Sequence, residues 1–313
     1  MPLLAEGICP QFTYSMLKQC KAIGIRTIAD FVLNDPEDLA MKIKVPYKDI
    51  IGIQRLLMID YASFPQRADS LYNEYLETMS LLSTGSKRID KFLLGGIYTG
   101  EVTEVHGPAG SGKTQFCFSI LCNLICKTKN TVLYLDSGSH FNAKRIEQIV
   151  MSKLNDAQTV PDKLKNVKIV NVYDIYNLFD CLDDIKCKLH EKEDRFYKYL
   201  KVLIIDSITP LLAPCFGGKI LDGPGLMSNV AQQFRTLCCE HMLSIIVSNN
   251  TVRDQNCGIK PALGPNWKYV PSVSLCLHKV NATSLRRMTA IKSCRRDLSE
   301  EVMFNISEAG VCD

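Results

Sequence analysis
The sequence predicts an α/β protein: a central, mainly parallel sheet with helices between its strands, preceded by a small all-helical N-terminal domain. Three observations carry that prediction. Apolar residues in the first 60 positions recur at helical spacing. From residue 86 onward, short apolar segments alternate with helical stretches. One of those segments runs straight into a glycine-rich loop, Gly107 to Thr114, that opens an apolar helix.

In residues 1–60 the repeating apolar positions are Met16 and Leu17, then Ile28, Phe31 and Val32, then Leu39 and Ile43, then Ile50, Ile53, Leu56 and Leu57. Asn34 or Asp35 ahead of Pro36 and Glu37 signals a helix start, because proline in the first turn gives up an N–H that has no partner there anyway. Residues 61–85 read as a polar linker, and 86–313 as the α/β core. Strands are predicted at Val102 to Val105, Thr131 to Leu135, Val167 to Val172, Val202 to Ile205, Ser244 to Val247 and Val273 to Leu277, with a terminal pair at Met288 to Ile291 and Val302 to Ile306. Their near-continuous apolar character is that of strands covered on both faces, the mark of a parallel sheet.

Composition narrows the classes. With 46% hydrophobic and 22% charged residues in 313, the chain can bury a large core, which excludes a disordered tail or a disulfide-stapled miniprotein. The richest apolar stretch, Phe116 to Cys126, is interrupted by Ser119 and Asn123, so a membrane span is not expected; no secretory leader is recognisable, and an intracellular, soluble protein is expected. Fourteen cysteines contain no C-x-x-C, so they read as buried small hydrophobes rather than metal ligands or disulfides. The net charge of +4 is unevenly placed: residues 1–63 balance seven cations against seven acids, whereas Lys279 to Arg296 holds six cations before the first acid, Asp297.

Gly107-Pro108-Ala109-Gly110-Ser111-Gly112-Lys113-Thr114 is the G-x-x-x-x-G-K-[ST] phosphate loop in its strand–loop–helix setting. Glycines let backbone N–H groups converge on phosphate, the helix N-terminus favours negative charge, Lys113 neutralises the β and γ oxygens, and the Thr114 hydroxyl reaches Mg²⁺. A chance match in a chain of this length is on the order of 1%, so a nucleotide with Mg²⁺ is the expected ligand. The apolar run Lys201 to Asp206 ends in an acid suited to orient a Mg²⁺ water, and Asp206 is the second half of the site.

The order of pieces, VLYLDS at 132–137, LIIDS at 203–207 and IIVSNN at 245–250, resembles the RecA-type recombinases. The flank LLSTGSKRIDKFLLGGIYTGEVTEVHGPAGSGKTQFC (81–117) is similar to the eukaryotic Rad recombinase and its paralogues. KPALGPNWKYVPS (260–272) has the paralogues' P-A-L-G-x-x-W string. ASFP (62–65) and ADSLYNEYLETMSLLSTG (68–85) most resemble the D-type paralogues. The resemblance covers essentially the whole chain. It implies a RecA-type P-loop ATPase core and a strand-end amide that senses the γ-phosphate, here Asn250. It also implies DNA-facing loops at 215–225 and 251–264, with Lys219, Arg253 and Lys260 as phosphate contacts and Phe216 as a stacking residue. Glycine and proline density marks both segments as loops.

The chain departs from the pattern in three places. Hydrolysing members carry a glutamate two residues after the aspartate of the second strand; here that position is Gly138, and glycine cannot act as a base. His140 is the nearby alternative base, against an ordinary surface or capping histidine. The segment AIGIRTIADFVLNDPEDLAMKIKVPYKDIIGIQRLL (22–57) resembles the family's helix-hairpin-helix, but its hairpin, Lys44 to Tyr47, has no glycine, so a partner-binding role or a structural cap replaces phosphate binding. In the linker, Phe64 and Ala68 are four apart, one more than in the family's F-x-x-A motif. The basic stretch Arg286 to Arg296 matches the region that closes over a neighbouring subunit's nucleotide. Arginine finger, DNA surface and charged edge hairpin are all open readings of it.

The resemblance implies an ATP-binding paralogue in homologous-recombination DNA repair, located in the nucleus. It would act in a heteromeric complex with the C-type paralogue and the small paralogue lacking the N-terminal domain. That complex would bind single-stranded or branched DNA and assist recombinase filament assembly, with weak or partner-dependent DNA-stimulated ATPase activity. The alternative is a self-sufficient DNA-dependent ATPase that forms filaments and exchanges strands.

Overall fold
The computed structural model describes residues 4–62, 65–154, 156, 158–191, 193–216, 223–254, 258–280, 284–295 and 300–313. The chain folds as two units, Met1–Tyr75 and Leu76–Asp313. No helix among the described residues is long and apolar enough to cross a membrane.

In the first unit, helices Tyr14–Ala22, Ile28–Leu33, Pro36–Ile43 and Tyr47–Asp60 bury Met16, Leu17, Ile28, Phe31, Leu39, Ile43, Ile50, Ile53 and Leu57, close to the expected set. Leu56 is a correction, being 38% exposed, because Leu57 takes the inward position of that turn. Local chemistry sets the helix ends. Thr27 and Asp30 form a reciprocal capping box, and Asp35, not Asn34, caps the third helix by accepting the Glu37 N–H at 3.0 Å. At the glycine-free hairpin, Lys44 takes the left-handed conformation (φ 53°) and the Val45 N–H donates to the Ala40 carbonyl. That amide is therefore committed to the chain. A helix not foreseen in the linker, Ala68–Thr78, has no buried residue. Phe64 lies outside the described residues.

Among the described residues the second unit has thirteen strands. A hairpin-like pair, β1 (Leu81–Leu82) and β2 (Ile97–Tyr98), precedes the main sheet, formed by β3 (Val102–His106), β4 (Thr131–Asp136), β5 (Val167–Asn171), β6 (Leu200–Asp206), β7 (Ser244–Asn249), β10 (Val273–Lys279), β11 (Leu285–Lys292), β12 (Glu301–Ser307) and β13 (Gly310–Cys312). The remaining pair, β8 (Thr251–Asp254) and β9 (Gly258–Pro261), stands apart as an antiparallel hairpin. The nine-stranded order is β13-β12-β11-β10-β3-β7-β6-β4-β5, parallel from β10 to β5 and antiparallel from β10 to β13.

Side chains alternate across this sheet into two cores. Val132, Tyr134, Val202, Ile204 and Ile246 face one side with helices Lys113–Lys127 and Ala143–Leu154. Leu133, Leu135, Leu203, Ile205, Ile245 and Val247 face the other with helices Ile175–Glu191 and Gly223–His241. Both faces are covered, which is why the strands read as unbroken apolar runs. Each fully buried aliphatic or aromatic side chain contributes about 1.5–3 kcal/mol.

The segment 251–264 contains the β8–β9 hairpin rather than a plain loop, and Gly223 to Gly225 forms the first turn of a helix, where proline is tolerated. The basic strand β11 is not an edge: it pairs with β10 on one side and β12 on the other, so the edge-hairpin reading of the cations fails.

Candidate functional site
Parallel pairing brings the carboxyl ends of β3, β7, β6 and β4 to one edge of the sheet. The register pairs His106 with Asn249, Ile205 with Val247, and Asp136 with Asp206. Ligands of open α/β sheets bind just outside such an edge.

The phosphate loop leaves β3 there. A Cβ at Gly107 would collide with the Leu277 carbonyl and lie 2.7 Å from Ser111 Oγ; one at Gly112 would collide with Ile306 and lie 3.7 Å from Arg286 Nε. Gly110 and Gly112 hold φ of 75° and 103°, the left-handed region that side chains resist. Pro108 is half-buried, and Ala109 and Gly110 are exposed at the loop's crest. Gly112 caps helix Lys113–Lys127 without any side-chain bond, so the helix's first amides meet no capping side chain.

Lys113 Nζ donates to the Gly107 carbonyl at 2.8 Å and to Pro108 at 3.3 Å. Burial pulls its pKa below the usual lysine value, with Asp206 acting in the opposite sense. Ser111 Oγ is buried with no hydrogen-bond partner, and Thr114 is half-buried in the helix's first turn. An unpaired buried hydroxyl, an uncapped helix start and glycines that tolerate no Cβ fit a phosphate chain.

Asp206, at the end of β6, is 3% exposed. It accepts from Tyr134 Oη at 2.7 Å and from the Ser248 hydroxyl. Burial and the Asp206 charge drive the Tyr134 pKa upward, so the phenol stays a donor. These two hydroxyls hold the carboxylate in place, and the sequence offered no sign of either.

The end of β4 is different. Asp136 accepts from the amides of Gly138 (3.0 Å) and His140 (3.2 Å) on one oxygen and from Phe141 (2.8 Å) on the other. A Cβ at Gly138 would lie 2.6 Å from both Cδ2 and Nε2 of His140, whose exposed ring covers the glycine.

At the end of β7, Asn250 is exposed and its N–H donates to Thr209 Oγ1 at 2.8 Å. The buried neighbour is Asn249. Its amide donates to Glu104 Oε1 (2.7 Å) and the Ala262 carbonyl (3.2 Å), and its oxygen accepts from Thr209 (2.7 Å). Glu104, buried in β3, also accepts from Trp267 Nε1 (2.7 Å) and Ser274 Oγ (2.6 Å). This network ties the strand that feeds the phosphate loop to the segment following β7. A buried acid in the middle of an apolar strand was its one visible signal.

Among the DNA-contact expectations, Phe216 ends the short 3₁₀ turn Ala213–Phe216 and is 41% exposed. Lys260 is exposed on β9 and Arg253 lies on β8, opposite Ile259. Lys219 lies outside the described residues. In the basic stretch, Arg287 approaches Glu301 at 3.7 Å and Lys292 donates to the Lys268 and Pro271 carbonyls. Arg295 pairs with Glu101 at 3.0 Å and stacks on Tyr98, while Arg296 lies outside the described residues. Arg286, by contrast, sits beside Gly112 of the chain's own phosphate loop.

Comparison with known proteins places this geometry. The Rad51 family model matches residues 76–313, and the model of the RAD51D N-terminal domain matches residues 1–60. The chain is 34% identical over 284 residues to DNA repair protein RAD51 homolog 4 of Bos taurus, covering 90% of this chain and 87% of that one. It is 32% identical over 316 residues to the Mus musculus protein of the same name, covering 99% and 96%. It is 23% identical over 312 residues to DNA repair and recombination protein RadA of Metallosphaera sedula, covering 96% and 92%. A phosphate loop backed by a hydroxyl-clamped aspartate, on a sheet of this order and along this length of match, means that the chain belongs to the Rad51 family, an ATP-binding family of DNA repair and recombination, on its D-type branch.

Proposed function
We propose that the chain is a nuclear, ATP-binding recombinase paralogue that holds Mg-ATP without turning it over quickly. It would work inside a heteromeric complex with the C-type paralogue and the small paralogue lacking an N-terminal domain. The observation that carries this reading is the contrast between an intact phosphate cradle and Gly138 lying under the His140 ring.

The amides of Gly110 to Thr114 and the Lys113 ammonium would hold the phosphates. Thr114 and Asp206 would hold Mg²⁺, Asp206 through water, while Tyr134 and Ser248 keep its carboxylate oriented. Bound nucleotide supplies negative charge that the loop amides and Lys113 neutralise. Asn250, exposed at the strand end, is the proposed γ-phosphate sensor. The Glu104–Asn249 network behind it gives a rigid path from β3 to the segment carrying Arg253 and Lys260. With Phe216 and Lys219, these residues are the proposed contacts to single-stranded or branched DNA, through which the complex would assist filament assembly.

The test is co-purification of the tagged full chain from cells, followed by nucleotide analysis of the complex. Recovery of paralogues with retained, unhydrolysed ATP is the expected result. A self-associated filament of this chain alone that turns over ATP on DNA would overturn the reading.

A further inference from the structure
Far from the nucleotide edge, two helices end side by side. Helices Ile175–Glu191 and Gly223–His241 pack on the same face of the sheet, and His190, Glu240 and His241 fall in their last turns. His241 lies three residues before β7 begins, so this cluster is at the amino-terminal edge of the parallel strands, opposite the edge that carries Asn249 and the phosphate loop.

We propose that His190, Glu240 and His241 form a binding site for a divalent transition-metal ion of the zinc class, clamping the ends of these two helices together. One ligand atom from each of the three lies within 4.8 Å of the others. Around one zinc ion, with bonds of about 2.0–2.2 Å, tetrahedral ligands stand roughly 3.4 Å apart, so closure needs a movement of about 1–1.5 Å. His190 and Glu240 are exposed and can make that movement by changing rotamer. The imidazole rings already stand edge to face, 5.0 Å between centroids.

A second observation points the same way: His241 Nε2 is buried and has no hydrogen-bond partner. Buried polar atoms are nearly always paired, and an unpaired one on an imidazole beside a second imidazole and a carboxylate fits a ligand position. The carbonyl ends of two helices add negative partial charge, and the Glu240 carboxylate adds a full one; among the described residues Lys186 is an opposing cation. Two imidazoles and one carboxylate select zinc-like ions over Mg²⁺ and Ca²⁺, which prefer all-oxygen shells, and leave the fourth position to water. A metal there would lock the helix ends that precede β6 and β7 without touching the nucleotide.

The test uses Co²⁺ as probe on the reduced full chain, because its spectrum separates imidazole and carboxylate ligands from the sulfur of the chain's fourteen cysteines. One equivalent should bind with visible d–d bands and no thiolate charge-transfer band, and should raise the melting temperature. Both effects should survive Lys113→Ala. His190→Ala and Glu240→Ala, each at an exposed position, should weaken binding by about 100-fold or more. Undiminished binding in those two variants, a thiolate charge-transfer signature, or no binding to the wild-type chain would each overturn the site.

Discussion

The carboxyl ends of β3 and β4 lie along one edge of one sheet, yet their backbones are used in opposite ways. After β3 the chain is kept bare: Gly107 and Gly112 admit no Cβ, the helix start has no cap, and Ser111 Oγ is buried without a partner. After β4 the turn is closed on itself. Asp136 engages three amides of its own loop, and the His140 ring covers the position where hydrolysing relatives are expected to place their acid. One end is built to receive an anion and the other is saturated by its own chain. The proposed binding and turnover roles therefore fall on different strands and can be separated by substitution.

The largest expected effect would break that comparison directly. ATP turnover by the wild-type chain, with and without single-stranded DNA, is expected roughly 10²- to 10⁴-fold below that of a recombinase with a general base. Robust DNA-stimulated hydrolysis, lost in Lys113→Ala, would show that the β4 end is catalytic after all, with His140 the first residue to test. Gly138→Glu alone must displace the His140 ring, so Gly138→Glu combined with His140→Ala should turn over faster than the single variant.

Next is the cradle. With Mg-ATP about 100-fold above its dissociation constant, linkage stabilises the second unit by roughly 2.7 kcal/mol, a melting-temperature rise of roughly 5 to 11 °C. Lys113→Ala should abolish that rise, and Gly107→Ala should do so while also lowering the ligand-free melting temperature. An equal rise in Lys113→Ala would remove the β3 end from the site.

Glu104→Gln probes the connection behind the cradle. It replaces an acceptor oxygen by a donor facing the Asn249, Trp267 or Ser274 donors, a cost of about 1–3 kcal/mol. Trp267 is the sole tryptophan, so its fluorescence should report the change along with the thermal shift. An unchanged emission spectrum would show that the network does not position the indole.

The smallest effect is a control. Thr27→Ala removes a capping box in the first unit and should cost about 1 kcal/mol there, with the Mg-ATP-dependent rise of the second unit unaltered. A reduced nucleotide response would mean the two units are coupled in nucleotide binding.

By itself the sequence determined the elements whose signals are local. The helices of residues 1–60, the eight long strands to within a few residues and the phosphate loop all follow from periodicity, capping residues and spacing, which act within a few residues of chain. Gly138 and the glycine-free hairpin were legible for the same reason. Tertiary structure alone decided what depends on pairing across the chain. That Tyr134 and Ser248 clamp Asp206, that Glu104 gathers Asn249, Trp267 and Ser274, and that β11 is an interior strand require the sheet order to be known. Likewise, His190 and His241, 51 positions apart, meet only because two helices run in parallel over the same sheet face. Propensity and motif act along the chain, whereas a hydrogen bond or a shared ligand site needs atoms within a few ångströms, and only the fold brings distant residues that close.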